Sequence, residues 1–213
     1  MAQARHHSLR RKTYERRAKV KLPLAPELLL IRQLTEEDKD LLGTNTYGDA
    51  DLDDFLKSDA LRLQELNVVK TFVALHLIEG LVGYISLLAD AVTLETKERK
   101  KLSLSHQDHP IVPALKIARL AVREDFRAKY RGGGEALVRF SFNRALLLSD
   151  LVGCRLLTLD AYPQSVEFYK KLGFVENKAK VYQEKTHPSM RFDLYAPTLP
   201  AWVSPPSTEA PKE

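Results

Sequence analysis

Apolar and polar positions along the chain recur with two different periods, and the changes of period divide the sequence into elements. Glu27–Arg32 is a short apolar run that predicts a first strand, and Thr35 followed by Glu36, Glu37 and Asp38 gives the N-cap signal of a short helix. From Asp51 the spacing of Leu52, Phe55, Leu56, Leu63 and Leu66 predicts a helix ending near Leu66, with these leucines and Phe55 along one side. Thr71–Ile78 and Leu81–Leu88, separated by Glu79-Gly80, predict a hairpin. Ala91–Pro113 is charged and follows neither period, so it reads as an irregular insertion. Ala114–Val122 predicts a central strand, Glu135–Leu148 a long helix and Cys154–Asp160 the next strand. Ser165–Phe174 then predicts a short helix, with Val166, Tyr169 and Leu172 at helical spacing and Gly173 at the C-cap position. Val181–Glu184 and Met190–Tyr195 predict late strands. This order of elements, without internal repeat, predicts an α/β domain around one sheet.

Length and charge refine that picture. A chain of 213 residues accommodates one domain with a buried core plus tails. Residues 1–22 carry Arg5, Arg10, Arg11, Lys12, Arg16, Arg17, Lys19 and Lys21 against Glu15 alone, a net +7, so the rest of the chain contributes −2 to the total of +5. The expected organisation is a basic extension over residues 1–26, a folded domain over 27–198 and a Pro/Ser-rich tail over 199–213. Both ends are expected to be disordered, and a basic arm that contacts RNA through residues 1–22 is the sharper alternative for the first. No apolar run approaches the ~18 residues of a membrane span. Cys154 is the only cysteine, which precludes an internal disulfide and fits a reducing cytoplasm.

The candidate chemistry centres on one run. The strand through Ala118-Arg119-Leu120-Ala121-Val122 leads, after a charged stretch, into Arg131-Gly132-Gly133-Gly134-Glu135-Ala136, where a helix opens. Glycines let a ligand approach the backbone, and the first N–H groups of a helix lack internal partners and sit at the positive end of its dipole, so a phosphate suits this turn. The Walker pattern is absent, and the contiguous Gly132, Gly133 and Gly134 do not fit Gly-x-Gly-x-x-Gly.

Two segments together carry a resemblance. Glu167-Phe168-Tyr169-Lys170-Lys171-Leu172-Gly173-Phe174 is similar to the Phe-Tyr-x-x-x-Gly-Phe signature of the GNAT superfamily of acetyl-CoA-dependent N-acyltransferases. Arg119–Val122 leading to Arg131-Gly132-Gly133-Gly134 resembles that superfamily's pyrophosphate loop. The resemblance spans roughly residues 28–196 and implies an α/β (α+β) fold with a mixed, mostly antiparallel central sheet flanked by helices. Two departures stand out. Phe126-Arg127-Ala128-Lys129-Tyr130 lengthens the loop, leaving Arg127, Lys129 and Arg131 as candidates for its basic position, and Tyr162-Pro163-Gln164 stands where the superfamily often has Asn.

The resemblance implies acetyl-CoA as cosubstrate and no metal, with the pyrophosphate on backbone N–H groups of Gly132, Gly133, Gly134, Glu135 and Ala136, assisted by Arg127 and Arg131. The thioester would lie beside Leu120, Ala121 and Val122, the Val122 N–H would face the developing oxyanion, and Tyr169 would protonate the departing thiolate. Cys154 has no role in direct attack by an amine. No acidic residue on Lys116–Leu120 offers a general base; Asp160, at the end of the next strand, is a candidate to orient an acceptor, with a structural role as the plainer reading, and His106 and His109 titrate in a useful range but read more plainly as surface loop residues. A lysine amine, with a pKa near 10.4, needs such a base more than an α-amine of about 7.7–8.0.

The expected activity is N-acetylation of a primary amine whose class the sequence leaves open. Asp51-Leu52-Asp53-Asp54-Phe55-Leu56 and Val82-Gly83-Tyr84-Ile85-Ser86-Leu87 further resemble GNAT-type toxins that acetylate the α-amine of aminoacyl-tRNA and are paired with an antitoxin, although Tyr47-Gly48 replaces their Cys-Gly pair. A non-catalytic acyl-CoA-binding module is the third reading, and a homodimer is open.

Overall fold

The computed structural model describes residues 21–43, 45–105, 110–200 and 202–203. The tail residues before Lys21 and after Val203, together with His106 and His109, lie outside the described residues.

Among the described residues nine strands form: β1 (Leu22–Pro23), β2 (Leu29–Gln33), β3 (Lys70–His76), β4 (Gly80–Thr93), β5 (Ile111–Val122), β6 (Tyr130–Arg131), β7 (Leu156–Asp160), β8 (Val175–Glu176) and β9 (Ser189–Asp193). The helices are α1 (Lys39–Leu42), α2 (Ala50–Asp54), α3 (Ala60–Glu65), α4 (Thr96–Lys101), α5 (Glu124–Lys129), α6 (Gly133–Ser149), α7 (Val166–Lys171) and α8 (Lys180–Gln183). Seven strands make one sheet in the order β2-β3-β4-β5-β7-β9-β8, antiparallel except for the β5–β7 pair, while β1 and β6 form a separate parallel ribbon. The mixed, mostly antiparallel sheet flanked by helices is the architecture expected from the sequence.

The core follows from the apolar runs. Ile85 and Leu87 of β4, Leu115 and Ile117 of β5 and Leu157 and Leu159 of β7 pack with Leu137, Val138 and Phe142 of α6. On the other side, Leu52, Phe55, Leu56 and Ala60 pack with Val73, Tyr84 and Ala121. Two glycine positions are fixed by neighbours. A Cβ on Gly83 would lie 2.6 Å from the Ala121 carbonyl oxygen, so only glycine lets β4 lie this close to β5 there. Gly132 has φ +100° and caps α6 in the left-handed region.

Several elements differ from expectation. A π-helical segment, Phe55–Asp59, joins α2 to α3. Its extra residue rotates the downstream face, so Ala60 is fully buried while Leu66, at the end of the helix, is 64% exposed. Ala91–Pro113 is only partly irregular: β4 and β5 pair out to Thr93–Ile111, and α4 starts with a Glu95–Glu98 capping box. Val181–Glu184 is not a strand but the short helix α8 and its cap. The following strand, β9, is already paired with β7 and β8, and the helical turn buries part of Tyr182 while leaving Val181 63% exposed. At the ends, Leu24 packs on the core beyond β1, and buried Trp202 donates to the Leu172 carbonyl at 3.0 Å. The folded unit therefore reaches into both stretches read as extensions.

Candidate active site

The site begins where the central sheet opens. β5 pairs with β7 from Ala114–Leu156 to Ile117–Leu159 and no further, whereas its pairing with β4 continues to Val122–Gly83. The β4–β5 register shifts between Ser86 and Leu87, which leaves Ala118 as the extra residue of a bulge at the point where β7 departs. Beyond it, no strand among the described residues pairs with the other edge of residues 118–122. Arg123 donates its N–H to the Val82 carbonyl at 2.8 Å, and strand alternation therefore turns the N–H groups of Val122 and Leu120 toward the open side.

A cleft of about 1120 Å³ fills this opening. It collects Leu120, Ala121, Val122, Arg127, Arg131, Gly132, Gly133, Gly134 and Tyr169 of the residues singled out in the sequence. Glu135 and Ala136 do not line it. Glu135 lies near Arg139 at 3.6 Å, and the Ala136 N–H already donates to the Gly132 carbonyl at 2.9 Å. Ala136 is therefore withdrawn as an anion donor, because its N–H makes the first intrahelical bond of α6; the groups that lack such a bond are those before it.

The lengthened loop is α5 followed by β6. Phe126 is buried and stacks on Tyr130, with ring centroids 4.6 Å apart, so the additional residues form a packed helical turn. Of the three basic candidates, Lys129 is turned away to pair with Glu79. Arg127 donates to the Tyr47 carbonyl at 3.1 Å at the cleft wall, and Arg131 lies just before the glycines. Gly133 and Gly134 pack closely as well: Cβ atoms there would lie 3.2 Å from Val122 Cγ1 and from Phe168 Cζ.

Tyr169 projects from α7 into the same cleft. It is buried, its ring meets those of Phe168 and Phe174, and its hydroxyl has no hydrogen-bond partner among the described residues. Burial pushes its phenol well above the ordinary tyrosine value, so it is protonated at neutral pH.

The other end of the cleft is polar. Asp49, Asp51, Asp90 and Asp160 line it with Lys116, Arg119, Tyr162, Gln164, Ser165 and His187. Each carboxylate is engaged. Asp49 caps α2 by accepting from the Asp51 and Leu52 N–H groups, Asp51 pairs with Arg119 at 3.1 Å, and Asp90 accepts from the Thr158 hydroxyl at 2.7 Å. Asp160 accepts from Lys116 at 2.7 Å and from Lys185 at 3.1 Å. Burial works against the Asp160 carboxylate, but the two lysines outweigh it and hold the group below the usual range, which makes it a poor proton acceptor. Cys154 is buried away from the cleft and its thiol is pushed up by burial. Among the described residues no acidic, histidine or cysteine cluster could hold a metal ion, and no helix is long and apolar enough to cross a membrane.

Lys116, Arg119, Tyr162, Gln164 and His187 were not among the sequence candidates, and neither was Lys21, which also lines the cleft. The signal for two of them was present: Lys116 and Arg119 are charges inside an apolar central strand, where a side chain must turn to a cavity or a partner.

The splayed sheet, glycine-rich helix start and Tyr169 helix make up a GNAT-like fold. Solved structures with it include toxins. The toxin AtaT complexed with acetyl-methionyl-tRNAfMet aligns with TM-score 0.65 and 22% identity over 78% of this chain and 94% of that one. A tyrosine-to-phenylalanine mutant of KacT gives TM-score 0.65 and 18% identity over 78% and 95%. AtaTR bound with acetyl-CoA gives TM-score 0.60 and 23% identity over 79% and 94%. No family model matches the sequence. At these identities the likeness establishes the fold.

Proposed function

We propose that this protein is an acetyl-CoA-dependent N-acetyltransferase in which an amine attacks the thioester directly. The observation that carries the reading is the free edge of β5 at residues 118–122, with the α6 N-terminus at one end of the cleft and Tyr169 beside it. The free N–H groups at the start of α6 and the adjoining arginines suit the donor's diphosphate. The exposed strand edge suits an extended, amide-containing arm, and Val122 N–H is turned to the side where negative charge would develop on the carbonyl oxygen. Tyr169, protonated and without a competing partner, is the acid for the leaving thiolate.

The acceptor reading that fits best is the α-amine of an aminoacyl ester on tRNA. Every carboxylate lining the cleft already holds a partner, which favours an acceptor amine that is partly unprotonated by itself. A structural neighbour, AtaT, is complexed with acetyl-methionyl-tRNAfMet. A toxin of this kind would also have an antitoxin partner, as AtaT has AtaR. The test is incubation of the purified protein with labelled acetyl-CoA and a clarified cell extract, separated into RNA and non-RNA fractions. Label in RNA that mild base releases supports the aminoacyl reading. Label only in proteins or small amines redirects the acceptor assignment. Acetyl-CoA binding without transfer to any fraction would leave a non-catalytic acyl-CoA module.

A further inference from the structure

Two lysines and three arginines line the cleft, and the fold leaves two of these five without an anionic partner among the described residues. Lys116 is paired with Asp160, Arg119 with Asp51, and Arg127 lies against the Tyr47 carbonyl and 3.8 Å from Glu124. Lys21 and Arg131 have no such partner among the described residues. Unpaired cations in a concave site raise its affinity for anions.

Their placement is specific. β1 pairs in parallel with β6, Leu22 opposite Tyr130 and Pro23 opposite Arg131, and the Leu24 N–H continues the ribbon to the Arg131 carbonyl at 3.0 Å. Leu24 then anchors this strap in the core and backs the glycine turn, where a Cβ on Gly132 would lie 3.7 Å from the Leu24 Cβ. Side chains alternate along a strand, so Lys21 and Pro23 share a face, and parallel partners put Arg131 on that face too. Two residues of rise offset their backbone positions by about 7 Å along the ribbon. Two long side chains rooted at that offset and facing one cleft can each meet a different phosphate oxygen.

We infer that Lys21 and Arg131 form a two-cation clamp on the phosphate groups of the acyl donor, with β1 serving as the strap that carries Lys21 to the glycine turn. The inference rests on the acetyl-CoA reading above and adds to it a residue from the stretch that sequence analysis set outside the domain. In functional terms the chain's N-terminal segment completes the donor site.

The test is calorimetric titration of the full-length protein, and of its Lys21→Glu and Arg131→Glu variants, with acetyl-CoA and with its 3′-dephospho form. Both side chains are on the surface, and thermal unfolding checks that the variants stay folded. Each variant should weaken acetyl-CoA binding about tenfold, a change typical of one charge-assisted contact. If the loss disappears with the dephospho donor, the clamp holds the 3′-phosphate; if it persists, it holds the diphosphate. Unchanged affinity of the Lys21→Glu variant for both donors would overturn the clamp while leaving the donor reading intact. A wild-type protein that binds neither donor would remove the donor reading and this inference with it.

Discussion

Glu98 and Arg191 are 93 residues apart in sequence and meet at 2.6 Å, with 7% and 6% of their side chains exposed. Arg191 also donates to Asn177 at 2.7 Å, and Glu98 accepts the Lys178 N–H at 3.0 Å. This network fastens α4 to the β8–β9 edge of the sheet. Glu98→Ala would leave a guanidinium buried without its counter-charge, a loss of about 3–5 kcal/mol. Chemical denaturation should show a lower midpoint with an unchanged slope. A loss below about 1 kcal/mol would mean that the guanidinium finds water when its partner is removed.

That ion pair also marks where the sequence was hard to read. The strand and helix runs around the cleft were legible because each apolar period is local: Ala114–Val122, Cys154–Asp160 and the Tyr169 helix all stand where the pattern puts them. The interior order of Ala91–Pro113 depends on contacts with residues about 80 to 90 positions later, so its charges resembled a solvated loop. Val181–Glu184 has a strand-like composition, but its neighbouring strand had no edge to offer. In the site, Tyr169 and the glycine turn were legible because motif and geometry coincide. Lys21 was not, since a basic stretch carries no local sign that its last residue is strapped beside a loop more than a hundred positions away.

Gly83 and Ala121 make a close backbone approach beside the cleft. Gly83→Ala would put its Cβ 2.6 Å from the Ala121 carbonyl oxygen and force β4 from β5. The expected cost is about 1–3 kcal/mol, as for overpacking in a core. Donor affinity should fall with it, because Ala121 and Val122 line the cleft. Wild-type stability and donor affinity together would show that the strands part there without strain.

Asp160 should make stability depend on pH. Its folded-state pKa lies below the ordinary carboxylate value because Lys116 and Lys185 outweigh the effect of burial. A depressed pKa contributes stability that is fully present above the unfolded value, about 3.9, and is lost as pH falls through the folded value. Asp160→Asn should therefore cost about 1–2 kcal/mol at neutral pH, as for a part-buried pair. The difference from wild type should shrink below about pH 4. Denaturation curves at a series of pH values would reveal a constant difference instead if the lysines were not responsible.

The basic N-terminal stretch can be tested separately from Lys21. Residues 1–20 carry seven of the eight N-terminal basic residues, and removing them leaves β1 in place. If that stretch holds an RNA acceptor, the deletion should reduce the dependence of RNA affinity on salt, by roughly one unit of logarithmic slope for each phosphate no longer neutralised. Acetyl-CoA affinity should be unaffected. An unchanged salt slope, measured by filter binding at several salt concentrations, would make the stretch a bystander to RNA binding.

Tyr169→Phe bears directly on the chemistry. The ring packs against Phe168 and Phe174, and no described residue bonds its hydroxyl, so the variant should retain stability and acetyl-CoA affinity. Removal of a general acid should lower kcat by roughly 100-fold or more. The pH profile separates this role from mere packing. Burial raises the phenol pKa, so its acidic form persists beyond its usual limit of about 10. Wild-type turnover should therefore rise with pH as the acceptor amine loses its proton, with no falling limb up to about pH 10. The variant should keep that rise at a reduced amplitude, since the acceptor's titration is unchanged. Wild-type turnover in the Phe variant would exclude Tyr169 as the proton donor, and the leaving thiolate would then have to depart unprotonated or take its proton from water in the cleft.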